Sequence, residues 1–146
     1  HGVARLPECH ELQLKFTKGQ VLTAKASEQF TPLDHSLIGK GYIALGESPG
    51  AYHLGSTYEK GFVSELPCQE TAERLILSKI GSFFPEVSQL DIIGCSAGIR
   101  VIRPDHYFPI IQQLDPRCWV FTALGSRGLL YHALLANRLI KNFQSS

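Results

Sequence analysis

Three short stretches carry residue types suited to chemistry. In "AGIRVIRPDHYFP" (97–109), Arg100 follows a small-residue patch running from Cys95 to Gly98. Small residues let a ligand or a backbone come close, and a guanidinium there can hold a carboxylate through two parallel hydrogen bonds. An arginine so placed can equally be paired with a carboxylate of its own chain. "HLGSTYEKG" (53–61) runs small residues into Tyr58 and Glu59, and also reads as plain sheet sequence. "ALGSRGL" (123–129) sets the turn Gly125-Ser126-Arg127-Gly128 between the apolar run Cys118 to Ala123 and a long proline-free, helix-forming segment. A helix start reached through glycines often faces an anion or a flat cofactor, because its first N–H groups lack partners and carry the positive end of the dipole. The same residues would also serve a simple strand–loop–helix packing unit.

Other kinds of chemistry find no support. The sequence has no G-x-S-x-G elbow, no P-loop lysine and no local Cys/His signature. Cys9, Cys68, Cys95 and Cys118 are far apart and form no C-x-x-C. Two disulfides are formally available, but the composition is not that of a small secreted scaffold, so buried free thiols in a cytoplasmic protein are expected. The six histidines are scattered without zinc-ligand spacing, which predicts no metal site. With 44% hydrophobic and 18% charged residues and a net charge of +1, the chain reads as ordinary globular sequence. It has no basic footprint that would bind nucleic acid by itself. The apolar runs are too short for a bilayer, and the start has no signal-segment pattern. Methionine is missing even at position 1, so a piece of a longer protein or a processed product is expected.

The elements that must position these residues can be read from periodicity. Leu12, Leu14 and Phe16 alternate with polar neighbours as on a strand, Lys18-Gly19 punctuates it, and Gln20 to Ala24 reads as a second strand. Residues 27–36 form a loop around Pro32. "SLIGKGYIAL" (36–45) and "AYHLGSTYE" (51–59) pair as a hairpin across the turn cluster "GESPG". Ala72, Leu75, Ile76, Lys79 and Ile80 are spaced three and four apart, predicting a helix that ends at Gly81. Residues 88–103 return to strand, Pro104 and Pro109 bracket an irregular loop, and a strand and an apolar helix (about 128–142) close the chain. The fold class is α+β, mostly antiparallel sheet with one mid-chain and one C-terminal helix.

Taken in order, these stretches resemble the C-terminal part of FAD-dependent oxidoreductases of the D-amino-acid-oxidase/glycine-oxidase family. "LKFTKGQVL" (14–22) looks like the start of the substrate domain, "GYIAL…HLGSTYEKG" like the hairpin that follows, and "AGIRVIRPDHYFPII" like the strand whose arginine binds the substrate carboxylate. "VFTALGSRGLLYHALLANRLI" looks like the return to the FAD domain. "GIR…PDH…P" with "FTALGSRGL" is similar to the members that remove a carboxymethyl group from carboxymethylaminomethyl-uridine in tRNA. Two departures lie in one loop: the Asp105-to-Pro109 spacing is one residue longer than the family pattern, and Gln112 stands where a glycine is usual.

The resemblance implies a substrate domain over residues 10–105 and a return to the FAD-binding domain over 106–146. The N-terminal Gly-x-Gly-x-x-Gly part of that domain is absent from this sequence. It implies FAD as cofactor in the full-length protein, contacted by Gly125, Ser126, Arg127, Gly128 and Leu129 and not retained by these residues alone. It further implies Arg100 as the carboxylate handle, with Tyr58 and His106 lining the pocket. The substrate would be a small carboxylated amine or a tRNA-borne one, oxidised to an imine, and no catalytic acid or base is implied. Two other readings stay open: a small-ligand binding module without redox activity, and an interface domain whose apolar last helix docks on a partner. In these residues alone that helix is expected to pack back on the domain or against a second copy.

Overall fold

The computed structural model describes residues 2–104, 106 and 108–144. Ten regular elements follow two short 3-10 turns, Gly2–Arg5 and Pro7–Leu12. They are β1 (Lys15–Ala26), β2 (Leu37–Ile38), β3 (Tyr42–Leu45), β4 (Ala51–Gly55), β5 (Glu59–Lys60), α1 (Gln69–Gly81), β6 (Leu90–Ile102), β7 (Ile110–Asp115), β8 (Cys118–Thr122) and α2 (Gly128–Gln144). One sheet orders as β2-β3-β4-β1-β5 with β6 also on β1, and β7 and β8 form a second, two-stranded sheet. The registered pairs β1–β4, β2–β3, β3–β4 and β7–β8 are all antiparallel. The fold is therefore α+β and mostly antiparallel. No described helix is long and apolar enough to cross a membrane.

The chain divides into two compact units, Lys18–Gly98 and the remainder. In the first, Ala72, Ile76 and Ile80 recur every fourth residue on α1 and are all fully buried. That stripe packs with Leu22, Ala24, Ile43, Tyr52 and Leu54 of the sheet, because a spacing of four keeps side chains on one helical face. Glu70 in the first turn and Lys79 in the last suit the helix dipole. Phe30 meets the Tyr52 ring edge-on at 5.4 Å, and Leu33 donates its N–H to the Tyr52 hydroxyl at 3.0 Å. These contacts fasten the 27–36 loop to the core.

Several features differ from the sequence reading. Leu12 closes a 3-10 turn and not a strand. Residues 36–45 fold into β2 and β3 paired with each other, and 51–59 divide into β4 and the start of β5. Lys18-Gly19 does not punctuate a strand; β1 continues through it for 12 residues, with Thr17 to Gln20 buried in succession. Partners for β1 among β4, β5 and β6 satisfy its backbone, and that long-range pairing outweighs the weak local turn preference of Lys-Gly. Conversely, residues 110–115 form a strand that the flanking prolines obscure. β7 turns into β8 through Asp115, whose Oδ1 accepts the Arg117 N–H at 2.7 Å, a side-chain-closed turn. In this second unit Cys9, Ile110, Val120 and Ala123 form a small buried cluster with Leu12, Leu14 and Leu114 packed on it.

Gly55 ends β4 directly against Tyr42. A Cβ built at Gly55 would overlap Cζ and Oη of that ring. Gly55→Ala is therefore expected to cost about 1–3 kcal/mol of stability, the usual penalty of overpacking. Denaturant unfolding checks this, and pairing Gly55→Ala with Tyr42→Ala should return part of the loss.

Candidate functional site

Arg100 lies on β6, half-buried, with its Nη1 shut off from solvent. The next residue, Val101, accepts the Gly125 N–H at 3.0 Å. The glycine turn is thus fastened to the strand end beside Arg100. Gly125 holds φ at +55°, and a Cβ there would stand 3.3 Å from Ile102 Cγ2. Both the left-handed backbone and the close approach favour glycine at this one position. Arg127 donates its N–H to Leu124 O at 3.0 Å, and its own carbonyl accepts the Leu130 and Tyr131 amides at 3.1 Å. The Gly125 and Arg127 amides are therefore engaged within the protein, while α2 begins at Gly128. Ser126, Arg127 and Leu129 are exposed, Leu129 almost completely.

His106 is exposed and borders a polar cavity of about 350 Å³ with Glu11, Gln13, Arg103 and Gln112. Asp105 and Tyr107, which carry the altered loop spacing, lie outside the described residues. Beyond them Phe108 meets Tyr131 of α2 edge-on at 6.1 Å. The structure thus assembles Arg100, the glycine turn and the His106 loop within one unit. Arg103, given no role from the sequence, and Gln112, noted there only as a departure from the family pattern, join His106. Arg103 is one of two arginines three residues apart, and Gln112 is the position where the family pattern has glycine, so both carried a signal.

Tyr58 belongs to the other unit, Lys18–Gly98. It is exposed, with the Lys60 ammonium 5.9 Å from its ring centre. Its neighbours hang on a buried amide that sequence reasoning gave no role. Gln20 is fully buried and donates its backbone N–H to Thr57 Oγ1 at 2.8 Å and its Nε2 to Glu59 Oε1 at 2.9 Å. The Gln20 carbonyl accepts the Thr57 N–H at 3.2 Å, and the Thr57 hydroxyl donates to Glu59 Oε1 at 2.5 Å. The Oε1 of Gln20 accepts the Cys68 N–H at 2.6 Å and the Cys95 thiol at 3.7 Å. A side chain with every polar atom engaged can be buried without the penalty of an unmatched amide. Its partners lie 37 to 75 positions away, so no local pattern announces it.

The four cysteines are free, but only Cys9 is buried as expected; Cys95 and Cys118 are partly covered and Cys68, just before α1, is exposed. The Cys68 thiol is drawn below its ordinary pKa by hydrogen bonding with the Thr71 side chain and backbone, with help from Lys18. Burial pushes the Cys95 thiol upward, and the charge of Cys68 adds to that. Burial likewise raises Cys9.

The family model described as DAO, FAD dependent oxidoreductase, matches residues 2–141. Over 150 residues the chain is 25% identical to the tRNA 5-methylaminomethyl-2-thiouridine biosynthesis bifunctional protein MnmC of Legionella pneumophila, covering 84% of this chain and 22% of that protein. It is 28% identical over 95 residues to the glycine oxidase of Pseudomonas putida, covering 65% of this chain and 25% of the relative. Among solved structures, glycine oxidase from Geobacillus kaustophilus superposes with a TM-score of 0.69 at 22% identity, over 90% of this chain and 36% of that one. Glycine oxidase from Bacillus cereus gives 0.62 at 19% identity, over 79% and 31%. The chain spans about a quarter of the length of the curated relatives it matches.

Proposed function

This chain belongs to the DAO family of FAD-dependent oxidoreductases, and from that premise we propose that it supplies the substrate handle and one cofactor edge of an amine oxidoreductase. Residues 10–105 form the substrate domain on this reading, and 106–146 return to the FAD-binding domain of a cytoplasmic protein. The substrate is an amine bearing a carboxylate, either a small amino acid or the carboxymethylaminomethyl group of a tRNA uridine, and it is oxidised to an imine that water then hydrolyses.

The observation that carries the reading is the bond from Gly125 N–H to Val101 O, which joins the glycine turn to the Arg100 strand. One flavin edge would be held there, since Gly125 and Gly128 carry no side chain and α2 would offer its N-terminal amides. On this reading the Gly128 and Leu129 amides, in the first turn of α2, are the ones that would meet the cofactor. FAD, when bound, supplies the hydride acceptor. The protein's own residues orient and bind. Arg100 grips the substrate carboxylate where partial burial strengthens the pairing, and this fixes which hydrogen of the amine carbon faces the acceptor. Ser126 and Arg127 would flank the cofactor edge, and the positive end of α2 would favour negative charge there. His106 borders the pocket, and no side chain is required as acid or base.

The test is turnover by the full-length protein under anaerobic, single-turnover conditions, with glycine, sarcosine and a tRNA bearing the carboxymethylaminomethyl group. Flavin bleaching with a carboxylated amine, and none with the matching amine lacking the carboxylate, is the expected result. Equal bleaching by both would remove Arg100 from the substrate site.

A further inference from the structure

Cys68 and Cys95 lie far apart in sequence but meet on one atom. The Cys68 amide and the Cys95 thiol both donate to Gln20 Oε1, at 2.6 and 3.7 Å. The two residues are therefore brought together across the buried carboxamide, both within the unit Lys18–Gly98. Their surroundings differ in the way a reactive pair requires. Cys68 is exposed and stands immediately before α1, with its thiol 3.3 Å from Thr71 Oγ1. Cys95 is partly covered on β6. Lys18, only 4% exposed, donates its Nζ to Leu66 O at 2.5 Å, two residues before Cys68. A buried ammonium and a helix start both favour a thiolate at Cys68. Glu70 is the acidic group that opposes it, while Glu73 and Glu59 disfavour charge on Cys95.

We propose that Cys68 and Cys95 form a hydroperoxide-sensitive dithiol, Cys68 being the attacking sulfur and Cys95 the resolving one. This pair is not used by amine oxidation and does not depend on that reading. The Cys68 thiolate attacks one oxygen of a hydroperoxide, the O–O bond breaks, and the other oxygen leaves as alkoxide or hydroxide and takes up a proton. Cys68 is then a sulfenic acid. The Cys95 sulfur attacks the Cys68 sulfur, the S–O bond breaks and water leaves, closing an intrachain disulfide. Overall two thiols lose two electrons and two protons, and the hydroperoxide is reduced to an alcohol, or to water, together with one further water. Closing the bridge removes the Cys95 donor from Gln20 Oε1 and ties the start of α1 to β6.

The reaction is testable by peptide mapping of the full-length protein treated with hydrogen peroxide and then blocked with an alkylating agent. Trypsin places Cys68 alone in peptide 61–74 and Cys95 alone in 80–100, so the bridge appears as one cross-linked species that a reductant resolves. The cross-link is expected to form before Cys9 is modified. In Cys95→Ser the Cys68 sulfenic acid should accumulate and be trapped by dimedone, while in Cys68→Ser residue 95 should stay reduced. Peptide 61–74 recovered as sulfinic acid in the wild type, with 80–100 still a free thiol, would overturn the pairing. Equal, slow modification of all the thiols would overturn the reactivity.

Discussion

Replacing Arg100 by alanine in the full-length protein is expected to lower kcat/KM for a carboxylated amine by about 30- to 1,000-fold, corresponding to about 2–4 kcal/mol. The size follows from what is left behind. A carboxylate held by a guanidinium in a partly desolvated site, once that guanidinium is removed, retains the cost of leaving water without its compensating charge. Arg100 is half-buried, and its Nη1 is out of solvent, so water cannot simply take its place. Lysine keeps the charge but not the planar fork, and Arg100→Lys should recover only part of the loss. Flavin content should stay near that of the wild type in both variants, since the turn residues are unaltered. Unchanged turnover in Arg100→Ala, with flavin retained, would make Arg100 a structural arginine of β6.

The 146-residue chain purified by itself is expected to carry no stoichiometric FAD and to self-associate. The sequence holds no Gly-x-Gly-x-x-Gly strand–turn–helix, the element that seats the pyrophosphate of a dinucleotide and supplies much of its affinity. On α2, Leu129, Leu130, Leu134 and Ile140 are 94%, 70%, 53% and 52% exposed, while Leu135 is buried. Each leucine taken out of water contributes roughly 1.5–3 kcal/mol, so a second copy that covers this face has a substantial driving force. Sedimentation or light scattering over a concentration series should show association, and Leu130→Glu with Leu134→Glu should return the chain to monomer. A yellow preparation with one FAD per chain would refute the first half of the expectation. A monomer at every concentration would refute the second.

Local signals in the sequence were sufficient for much of this molecule. The four-residue recurrence of Ala72, Ile76 and Ile80 determined α1 and its buried stripe, and the apolar segment after Gly128 determined α2. Alternation around "GESPG" determined the β3–β4 hairpin. The turn chemistry of "ALGSRGL" was equally readable, because a glycine at positive φ before a helix start is a property of a few adjacent residues. Tertiary structure alone decided what these elements touch. It carried β1 straight through Lys18-Gly19, paired β7 with β8 behind the two prolines, and hung the Gly125 turn on Val101 beside Arg100. It also gathered Thr57, Glu59, Cys68 and Cys95 around Gln20. The physical reason is the range of the interactions. Periodicity and turn preference act over one helical turn or one hairpin and leave their mark in neighbouring letters. A buried carboxamide instead takes its donors and acceptors from wherever strand pairing delivers them, and that delivery exists only once the sheet has formed.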